Sequence, residues 1–407
     1  MKKRNILVSL DIGTSSIKAA MAEVHGQDIH LLGITQVPSF GLRKGSIIDI
    51  ESTAKSIDNS LNELERLTGI EVYSALIGFS GVSISIVNNH AVIAVANPTY
   101  EITLEDKERV LNSARNLSLP LDKAIIQIIE RQYIVDSYDG VKDPVGMVGS
   151  RLEAEVSIVV GAIAAIQNLQ RSANKINLHV NGLMYNALLG AESVLSPAET
   201  EMGVALVDIG GGTTEVSYFE EGSIIHTSVL PVGGEYITKD LAIVLRTSME
   251  EAKRVKEKHG VASPDKARSD LMINVHNIQG KSAQQVSQQV IAEIISARVL
   301  EITELIYAEL KQFGCLNRMP GGIVLTGGAA ELAGLADAME EYSSIPVRIG
   351  LPENMKGLPT DFNRPQNAVV LGGVLYSARQ AAIKSGDSPR FIGVIDRITY
   401  WLKDLFR

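Results

Sequence analysis

Two segments of the chain share one pattern of hydrophobic and polar positions. The first, from Leu10, reads LDIGTSSIKAAMAEVHGQDIHLLG, and the second, from Val207, reads VDIGGGTTEVSYFEEGSIIHTSV. In each, an apolar strand ends at a DIG turn with hydroxyl residues, and strands with alternating apolar positions follow. These positions are Ile17, Ala19 and Met21 in the first copy and Thr214, Val216 and Tyr218 in the second. The pattern predicts half-buried strands in a duplicated, two-lobed α/β protein.

The segments around the two copies carry further periodic patterns. Helices are predicted at residues 53–68, 104–117, 237–259, 287–313 and from Asn367 onward, and strands at 75–79 and 82–87. A strand, a glycine turn and a helix follow from Gly321. The apolar positions of 287–313 share one helix face, namely Val290, Ile294, Ile295, Val299, Ile302, Leu305, Ile306 and Leu310. Residues 81–161 and the helical region that contains 237–259 and 287–313 are therefore interpreted as insertions into the two lobes.

The C-terminal segment RFIGVIDRITYWLKDLFR, from Arg390, predicts an amphipathic helix. Its apolar stripe contains Phe391, Val394, Ile395, Ile398, Trp401, Leu402, Leu405 and Phe406, whereas the opposite face carries Arg397, Lys403, Asp404 and Arg407. A helix with bulky apolar residues and a net positive charge suits the plane of an anionic membrane surface. A helix docked on the protein's own core is an equal alternative on this pattern alone. Residues 381–389 predict a short flexible tether.

Composition and charge narrow the class of protein. The 407 residues, 45% hydrophobic and 21% charged, predict two to three globular domains. A net charge of −9 argues against a general nucleic-acid surface. The single cysteine, Cys315, cannot close an intramolecular disulfide, which fits a reducing cytoplasm. The N-terminus is basic and then apolar, but the apolar run ends at Asp11, so it predicts a first strand rather than a secretion signal. No apolar run reaches the roughly 18 residues that a membrane-spanning helix needs.

Both DIG turns offer the chemistry of a phosphate site. Glycines let backbone N–H groups approach phosphate oxygens, and hydroxyls and a cation complete the site. The candidate residues are Gly13, Thr14, Ser15 and Lys18 in the first turn and Gly210, Gly211, Gly212, Thr213 and Thr214 in the second. Asp11 and Asp208 end their strands and could hold hydrated Mg²⁺. A plain turn with aspartate as the turn former is the alternative for either copy taken alone.

Other signatures for these residues fit less well. The chain contains neither G-x-x-x-x-G-K-[ST] nor G-x-G-x-x-G, the usual signatures of other nucleotide sites. Ser15 to Lys18 matches the S-x-x-K pattern of acyl-serine enzymes, but the companion K-T-G is missing. The paired DIG turns therefore favour phosphate binding over serine acylation.

The motifs DIGTSSIK, DIGGGTTE and IVLTGGAA resemble those of the actin, Hsp70 and sugar kinase superfamily. QYIVDSYDGVKDPVGMVGSRLEAEV from Gln132 and LPVGGEYITKDLA from Leu230 further resemble the FtsA family of bacterial cell division proteins, and the likeness runs from about Ile6 to the C-terminus. It implies an actin-like α/β fold with a nucleotide cleft between four subdomains. They are 1A (1–80 and 162–198), 1C (81–161, an SHS2-like insert), 2A (199–232 and 319–380) and 2B (233–318), followed by the linker 381–389 and a membrane-targeting helix at 390–407.

The resemblance also assigns residues to the cleft. It implies ATP phosphates on the two DIG turns, Mg²⁺ held through water by Asp11 and Asp208, and adenosine against Gly327, Gly328 and Ala329. Lys256 matches a lysine that contacts adenosine in related proteins, whereas Lys253 stands where they have a glutamate. The alternatives are a close-packed strand-to-helix turn for the glycines and a solvated helix face for the lysines.

A catalytic role follows from the same resemblance. Asn181 falls roughly where actin has a glutamine that orients the hydrolytic water. Asparagine is shorter than glutamine. Slow ATP turnover, or none, is therefore expected.

For the biology, the resemblance implies a peripheral protein on the cytoplasmic face of the membrane at the division septum. It would anchor FtsZ filaments there, assemble with itself and recruit later division proteins. The FtsZ tail would dock on 2B near Arg298, Glu301 and Glu304, for which an exposed ion-pair face is the alternative. The residues expected to enter the membrane are Phe391, Ile395, Ile398, Trp401, Leu402, Leu405 and Phe406.

Three other functions are alternatives to this one. A small-molecule kinase of the superfamily needs an aspartate base beside the acceptor hydroxyl, and no such aspartate stands out. An Hsp70-class chaperone would need a long peptide-binding domain after Tyr376. A PilM-type assembly scaffold would share the 1C insert but would lack the tryptophan-bearing tail.

Overall fold

The computed structural model describes residues 5–26, 28–280, 282–352, 355, 357–385 and 398–399. The helices are α1 (Ile50–Thr68), α2 (Leu104–Ala114), α3 (Ile163–Lys175), α4 (Asn186–Val194), α5 (Pro197–Met202), α6 (Gly234–Val244), α7 (Met249–His259), α8 (Gln288–Gln312), α9 (Leu335–Ser343) and α10 (Ala368–Ser385). The strands are β1 (Ile6–Ile12), β2 (Ser16–His25), β3 (Asp28–Pro38), β4 (Leu42–Arg43), β5 (Ser46–Ile47), β6 (Ser74–Phe79), β7 (Ser85–Ala94), β8 (Lys123–Val135), β9 (Tyr138–Val141), β10 (Arg151–Ala162), β11 (His179–Tyr185), β12 (Val204–Ile209), β13 (Thr214–Glu220), β14 (Ser223–Leu230), β15 (Met272–His276), β16 (Ala283–Ser287), β17 (Ile323–Thr326), β18 (Val347–Ile349) and β19 (Ile398–Thr399).

Two five-stranded sheets repeat one topology. The first has the order β11-β6-β1-β2-β3 and the second β14-β13-β12-β17-β18. In each, the strand that ends in DIG pairs antiparallel with the strand after it and parallel with a later one. Asp11 lies opposite Lys18, and Asp208 lies opposite Glu215 at the equivalent place. The predicted duplication is confirmed, and it brings each aspartate to the carboxyl end of a central strand.

The strands after the DIG turns are more buried than the alternating pattern predicted. In β2 both the predicted inward residues and the intervening Ala20 and Ala22 are inaccessible to solvent. Ala20 and Ala22 pack against Val370, Leu371 and Val374 of α10, while α1 contacts the sheet as well. The expectation of half-buried strands was wrong because helices cover both faces of the sheet. In β13, Thr214, Val216 and Tyr218 are buried, and so are the residues between them.

A third sheet occupies the first insertion. Its order is β19-β8-β10-β7, with β9 paired to β8, and α2 packs against β7 and β10. Thr103 and Asp106 cap α2 reciprocally at its first turn. One part of this sheet has a core of its own, whereas Ile126, Ile129 and Val159 belong to the core of the first lobe. The bounds 81–161 given above for subdomain 1C remain our proposal.

The second insertion contains α6, α7, α8 and the hairpin β15–β16. The single helix predicted at 237–259 is in fact two helices, because Arg246 takes a left-handed φ of 51° and Ser248 caps α7 by accepting from the Glu251 N–H. The predicted face of α8 is largely buried, although Val290 and Leu305 remain exposed.

The C-terminal part differs from the predicted tether and helix. Helix α10 continues to Ser385, so the first residues of the predicted linker 381–389 are helical. Ile398 and Thr399 form the short strand β19 on the edge of β8, where a helix was predicted. Edge strands carry backbone groups that can pair with an extended segment, which gives a physical reason for this difference. The other predicted membrane residues lie outside the described residues. Within the described part of the chain, no helix is long and apolar enough to span a bilayer.

Candidate functional site: a cleft between two DIG turns

The two DIG turns close in the same way at the ends of β1 and β12. In the first, the Gly13 N–H donates to the Ser16 carbonyl at 3.1 Å, and in the second the Gly210 N–H donates to the Thr213 carbonyl at 2.9 Å. A Cβ at Gly13 would lie 3.0 Å from the Ser16 oxygen, so the turn favours glycine. Both turns therefore present backbone at the end of a buried strand.

The turns contact each other across the cleft. A Cβ on Gly212 would lie 2.8 Å from Cγ2 of Thr14, and a Cβ on Gly211 would overlap the Ser15 hydroxyl. The Ser15 hydroxyl donates to the carboxylate of Glu235 at the start of α6, and Thr14 accepts from the Gly45 N–H at 3.0 Å. The residues predicted to bind phosphate in the two copies thus lie together.

One predicted residue is turned away from the cleft. The Thr214 hydroxyl is buried and donates to the Val232 carbonyl at 2.8 Å. Its hydroxyl therefore ties the turn to the loop before α6. The Thr213 side chain lies near Gly45, whose N–H donates to Thr14 of the first turn, because its Cγ2 would lie 3.6 Å from a Cβ on Gly45.

Buried charges meet below the turns. Lys18 Nζ lies 3.1 Å from Asp11 Oδ2, and both side chains are about nine-tenths buried. Burial, and next the negative charge of Asp11, raise the pKa of Asp208 to about 6. Thr326 at the end of β17 donates to Asp208 at 3.1 Å. Two facing carboxylates with one lysine make a site whose negative charge a divalent cation would offset.

The third glycine turn adjoins the same cleft. Gly327 has a φ of 84°, and a Cβ there would lie 2.5 Å from the Ile209 carbonyl and 2.7 Å from Asp208 Oδ1. The methyl group of Ala329 would lie 3.2 Å from a Cβ on Gly234. Gly328 is less confined, since the nearest atom to its Cβ position is 4.0 Å away. The turn predicted to pack against adenosine is therefore beside Asp208.

Lys256 reaches this part of the cleft from α7. Its ammonium group donates to the Gly234 carbonyl at 3.0 Å, and burial lowers its pKa. Lys253 lies on the exposed side of the helix and faces Glu257 at 3.8 Å. The predicted adenosine lysine is thus brought to the cleft, whereas the lysine in place of the family's glutamate is not.

Asn181 is not brought to the turns. It lies at a register shift near the start of β11 and donates to the Ser74 hydroxyl at 3.2 Å. Met184, three residues later in β11, pairs with Gly78 of β6, and Gly78 in turn pairs with Asp11 of β1. Met184 and Asp11 therefore lie at the same level of the sheet. A strand rises about 3.3 Å per residue, which puts Asn181 about 10 Å back from the cleft.

Asn186 is a candidate that the sequence analysis missed. It follows β11 directly, at the same sheet edge as Asp11, and its Oδ1 is buried with no hydrogen-bond partner among the described residues. A Cβ on Gly78 would lie 2.6 Å from this oxygen. An unpaired buried acceptor is costly unless water or a ligand completes it.

Glu215 is a second missed residue, and it joins the lobes. Its side chain is buried, and Ser80 after β6 donates to its Oε2. Its Oε1 has no hydrogen-bond partner in the described chain, and burial raises the pKa of Glu215 to about 7. Glu215 lies opposite Asp208 in the second copy, as Lys18 lies opposite Asp11 in the first. This equivalence between the two copies was the sequence signal that could have identified Glu215.

The predicted docking residues lie on α8, away from the turns. Arg298 binds Asp240 of α6 at 2.6 and 3.0 Å, also pairs with Glu301, and lies 5.6 Å from the centre of the Tyr236 ring. Glu304 is exposed on the same helix. Arg298 therefore links α8 to α6.

The site's chemistry suits a nucleotide with a hydrated cation. In the described residues no group of three or more His, Cys, Asp or Glu side chains could hold a metal directly. Asp11 and Asp208 could nevertheless hold a cation through water, and the glycine turns leave backbone N–H groups for phosphate.

Comparison with known proteins places the chain in a family. The model described as "Cell division protein FtsA" matches residues 205–372, and the model "SHS2 domain inserted in FTSA" matches 81–160. Cell division protein FtsA of Pseudomonas aeruginosa is 34% identical over 98% of both chains. That of Bacillus subtilis is 38% identical over 94% of this chain and 86% of the relative. That of Escherichia coli K12 is 29% identical over 99% of both.

Solved structures share the fold. The PilM-PilN type IV pilus biogenesis complex matches with a TM-score of 0.65 at 16% identity, over 91% of this chain and 98% of the other. MreB5 of Spiroplasma citri bound to ADP matches with a TM-score of 0.54 at 15% identity, over 93% and 98%. At such identities the likeness shows the actin-like fold alone. The near full-length sequence matches show more: this chain belongs to the FtsA family of bacterial cell division proteins.

Proposed function

We propose that this protein anchors FtsZ filaments to the cytoplasmic face of the cell membrane at the division septum, assembles with copies of itself and recruits later division proteins. The observation that carries the proposal is the extent of the family likeness, 34% identity over 98% of the chain. The PilM complex shares the fold at only 16% identity, so a pilus scaffold has much weaker support.

We propose ATP with Mg²⁺ as the cofactor. MreB5 of Spiroplasma citri, which has the same fold, has been solved with ADP and with AMPPNP. Here the two DIG turns would bind the phosphates, Asp11 and Asp208 would hold Mg²⁺ through water, and Lys256 would lie near the adenosine. The Ser15 to Glu235 hydrogen bond would then be replaced by contacts to phosphate, since the two turns now touch.

Slow turnover is part of the same proposal. Asn186 is nearer to the turns than Asn181 and carries the unpaired amide oxygen at the sheet edge. An amide can hold a water molecule by a hydrogen bond but is not a proton acceptor strong enough to activate it. ATP would therefore act mainly as a structural ligand that sets the separation of the lobes.

For the FtsZ tail, Glu304 offers a cleaner test than Arg298. Replacing Arg298 would leave Asp240 without its partner, so effects on stability and binding would be mixed. We expect Glu304→Lys to change the free energy of unfolding by no more than about 0.5 kcal/mol, because the residue is exposed. Affinity for an FtsZ C-terminal peptide should fall about tenfold through the reversed charge. Peptide titration by fluorescence anisotropy and thermal unfolding measure the two quantities.

The matched control is Glu293→Lys, which makes the same charge change at an exposed position of α8. It lies eleven residues from Glu304, about 16 Å along the helix. The control should bind the peptide like the unmodified chain. Equal loss in both variants would point to net charge, and no loss in either would remove this part of α8 from the docking surface.

The proposal as a whole is tested by reconstitution. Anionic vesicles carrying the full chain, ATP and Mg²⁺ should recruit FtsZ filaments, as seen by fluorescence microscopy. Vesicles without the protein should leave the filaments in solution. Filaments that stay in solution although the protein covers the vesicles would contradict the anchoring role.

A further inference from the structure

A short hairpin of the first lobe lies at the two DIG turns. Its strands, β4 and β5, are joined by Lys44 and Gly45 alone. Both tip residues have a positive φ, 50° and 73°, as is usual in a two-residue hairpin. The N–H groups of Ile48 and Asp49 donate to the Gly41 carbonyl at 2.8 and 3.1 Å. These bonds close the base of the hairpin at the start of α1, so the tip has a defined place.

The backbone of this tip contacts residues of both turns. The Gly45 N–H donates to Thr14 Oγ1 of the first turn at 3.0 Å. A Cβ on Gly45 would lie 3.6 Å from Cγ2 of Thr213 in the second turn. Lys44 is the residue next to Gly45, so its side chain begins where the two turns meet.

The side chain of Lys44 reaches the second lobe. Its ammonium group lies 6.0 Å from the centre of the Tyr236 ring in α6. The residue before Tyr236 is Glu235, whose carboxylate accepts from the Ser15 hydroxyl between the turns. A distance of about 6 Å is the far limit of a cation–π contact, and such contacts are weak where solvent reaches them. The ammonium group is therefore held only weakly beside the proposed phosphate site.

Lys44 differs from the other two lysines at the cleft in its partners. The ammonium group of Lys18 bonds to Asp11 at 3.1 Å, and that of Lys256 bonds to the Gly234 carbonyl at 3.0 Å. In the part of the chain that the structure describes, the Tyr236 ring is the one partner of the Lys44 ammonium group, and no carboxylate pairs with it. The charge of Lys44 is therefore available to a ligand.

A triphosphate in this cleft calls for a further positive charge. Asp11 and Asp208 already bring negative charge to the site, and the one lysine bonded there is Lys18. ATP with Mg²⁺ keeps a net negative charge, and its terminal phosphate carries more of it than the other two. A lysine ammonium group is a common point-charge ligand for phosphate oxygens. ADP lacks the terminal phosphate, so a lysine placed for that group would favour ATP.

We propose that Lys44 binds the terminal phosphate of ATP, and that the β4–β5 hairpin in this way distinguishes ATP from ADP. The inference deepens the proposed function and rests on it, because it requires a nucleotide between the two DIG turns. On binding, the ammonium group exchanges its weak contact with Tyr236 for a charge-assisted hydrogen bond to a phosphate oxygen. Lys44 is then a binding residue that ties the first lobe to the nucleotide.

Calorimetric titration of the full chain with AMPPNP and with ADP, both with Mg²⁺, tests the role of Lys44. Lys44→Met removes the charge and keeps the unbranched side chain and its Cβ in the left-handed turn. It should weaken AMPPNP binding at least about tenfold and change ADP binding less than about twofold. Lys44→Arg, which keeps the charge, should recover part of the AMPPNP affinity. Equal weakening for both nucleotides would overturn the assignment to the terminal phosphate.

The matched control is Arg43→Met, which removes the same charge from the same hairpin. Arg43 is exposed and lies one residue before the tip. The control should keep the ratio of AMPPNP to ADP affinity of the unmodified chain. If Arg43→Met lowers this ratio as much as Lys44→Met does, the effect comes from net charge and the proposal fails.

Chemical labelling of the unmodified chain gives a readout that does not depend on a variant. Acetic anhydride reacts with neutral amines, and mass spectrometry reports the extent at each lysine. AMPPNP with Mg²⁺ should slow the labelling of Lys44 at least about threefold relative to ADP, because a phosphate partner favours the charged amine, which does not react. Lys55, exposed on α1, should be labelled equally with both nucleotides. Equal labelling of Lys44 with each nucleotide bound would contradict the contact.

The titrations also separate this inference from the proposed function. If the unmodified chain binds neither AMPPNP nor ADP, the cofactor proposal fails and the role of Lys44 fails with it. If the chain binds both nucleotides and Lys44→Met keeps their affinity ratio, the nucleotide site stands and the role of Lys44 alone is contradicted.

Discussion

Gly327→Ala is expected to destabilise the protein by about 3 kcal/mol or more, and to weaken ATP binding at least about tenfold. At this position φ is 84°, a left-handed conformation that costs any residue with a Cβ. The new methyl group would also press on the Ile209 carbonyl, which cannot move without shifting β12, and on the side-chain carboxylate of Asp208. Denaturant unfolding and titration with a fluorescent ATP analogue measure the two losses.

Gly328→Ala is the matched control, one residue further along the same turn. Its methyl group would have no neighbour nearer than 4.0 Å, and no left-handed φ is needed. The unfolding free energy should change by no more than about 0.5 kcal/mol. Similar destabilisation by both substitutions would show that the turn does not confine Gly327 as described.

Glu215→Gln is expected to flatten the dependence of stability on pH. The folded protein holds the Glu215 proton up to a pKa of about 7, above the ordinary 4.5. The folded state therefore binds more protons than the unfolded state, and stability falls as pH rises from about 4.5 to 7. The loss for this group is about 3 kcal/mol, and it is complete above pH 7. Glutamine should thus gain about that amount over glutamate between pH 4.5 and 8.

Ser80→Ala offers a change in the opposite direction. The Ser80 hydroxyl donates to Glu215 and lowers its pKa, so its removal should raise that pKa and extend the fall in stability to higher pH. Urea unfolding at several pH values gives the free energy of unfolding of all three proteins. The titration of Asp208 contributes to each of them and largely cancels in the differences. Parallel pH profiles for the glutamine variant and the unmodified chain would mean that folding does not raise the pKa of Glu215.

The paired turns could be predicted because their geometry is local. A glycine turn after an apolar strand is encoded within a few residues, and its repetition from Leu10 and Val207 indicates two lobes. Burial on both faces of β2 could not be predicted, because Ala20 and Ala22 are too small to mark a covered face. The helix break at Arg246 was missed because the apolar spacing continues through it.

The site residues that were missed depend on long-range register. The register shift in β11 decides whether Asn181 or Asn186 reaches the cleft, and no local sequence pattern reveals that shift. Glu215 has the appearance of a solvent-facing strand residue until Ser80 of the other lobe covers it. Arg298 was predicted for docking from the family resemblance, and its spacing to Glu301 indicated only an exposed ion pair. Its bond to Asp240 could not be predicted, because that bond depends on how α6 and α8 pack.

Co-sedimentation with anionic vesicles tests the tether most directly. The full chain is compared with a chain ending at Ser385, which keeps all of α10, each with and without ATP and the FtsZ tail peptide. We predict that the full chain alone binds vesicles and carries the peptide with it. If both chains stay in solution, or if both bind vesicles equally, the C-terminal segment is not the membrane anchor and the proposed tether is contradicted.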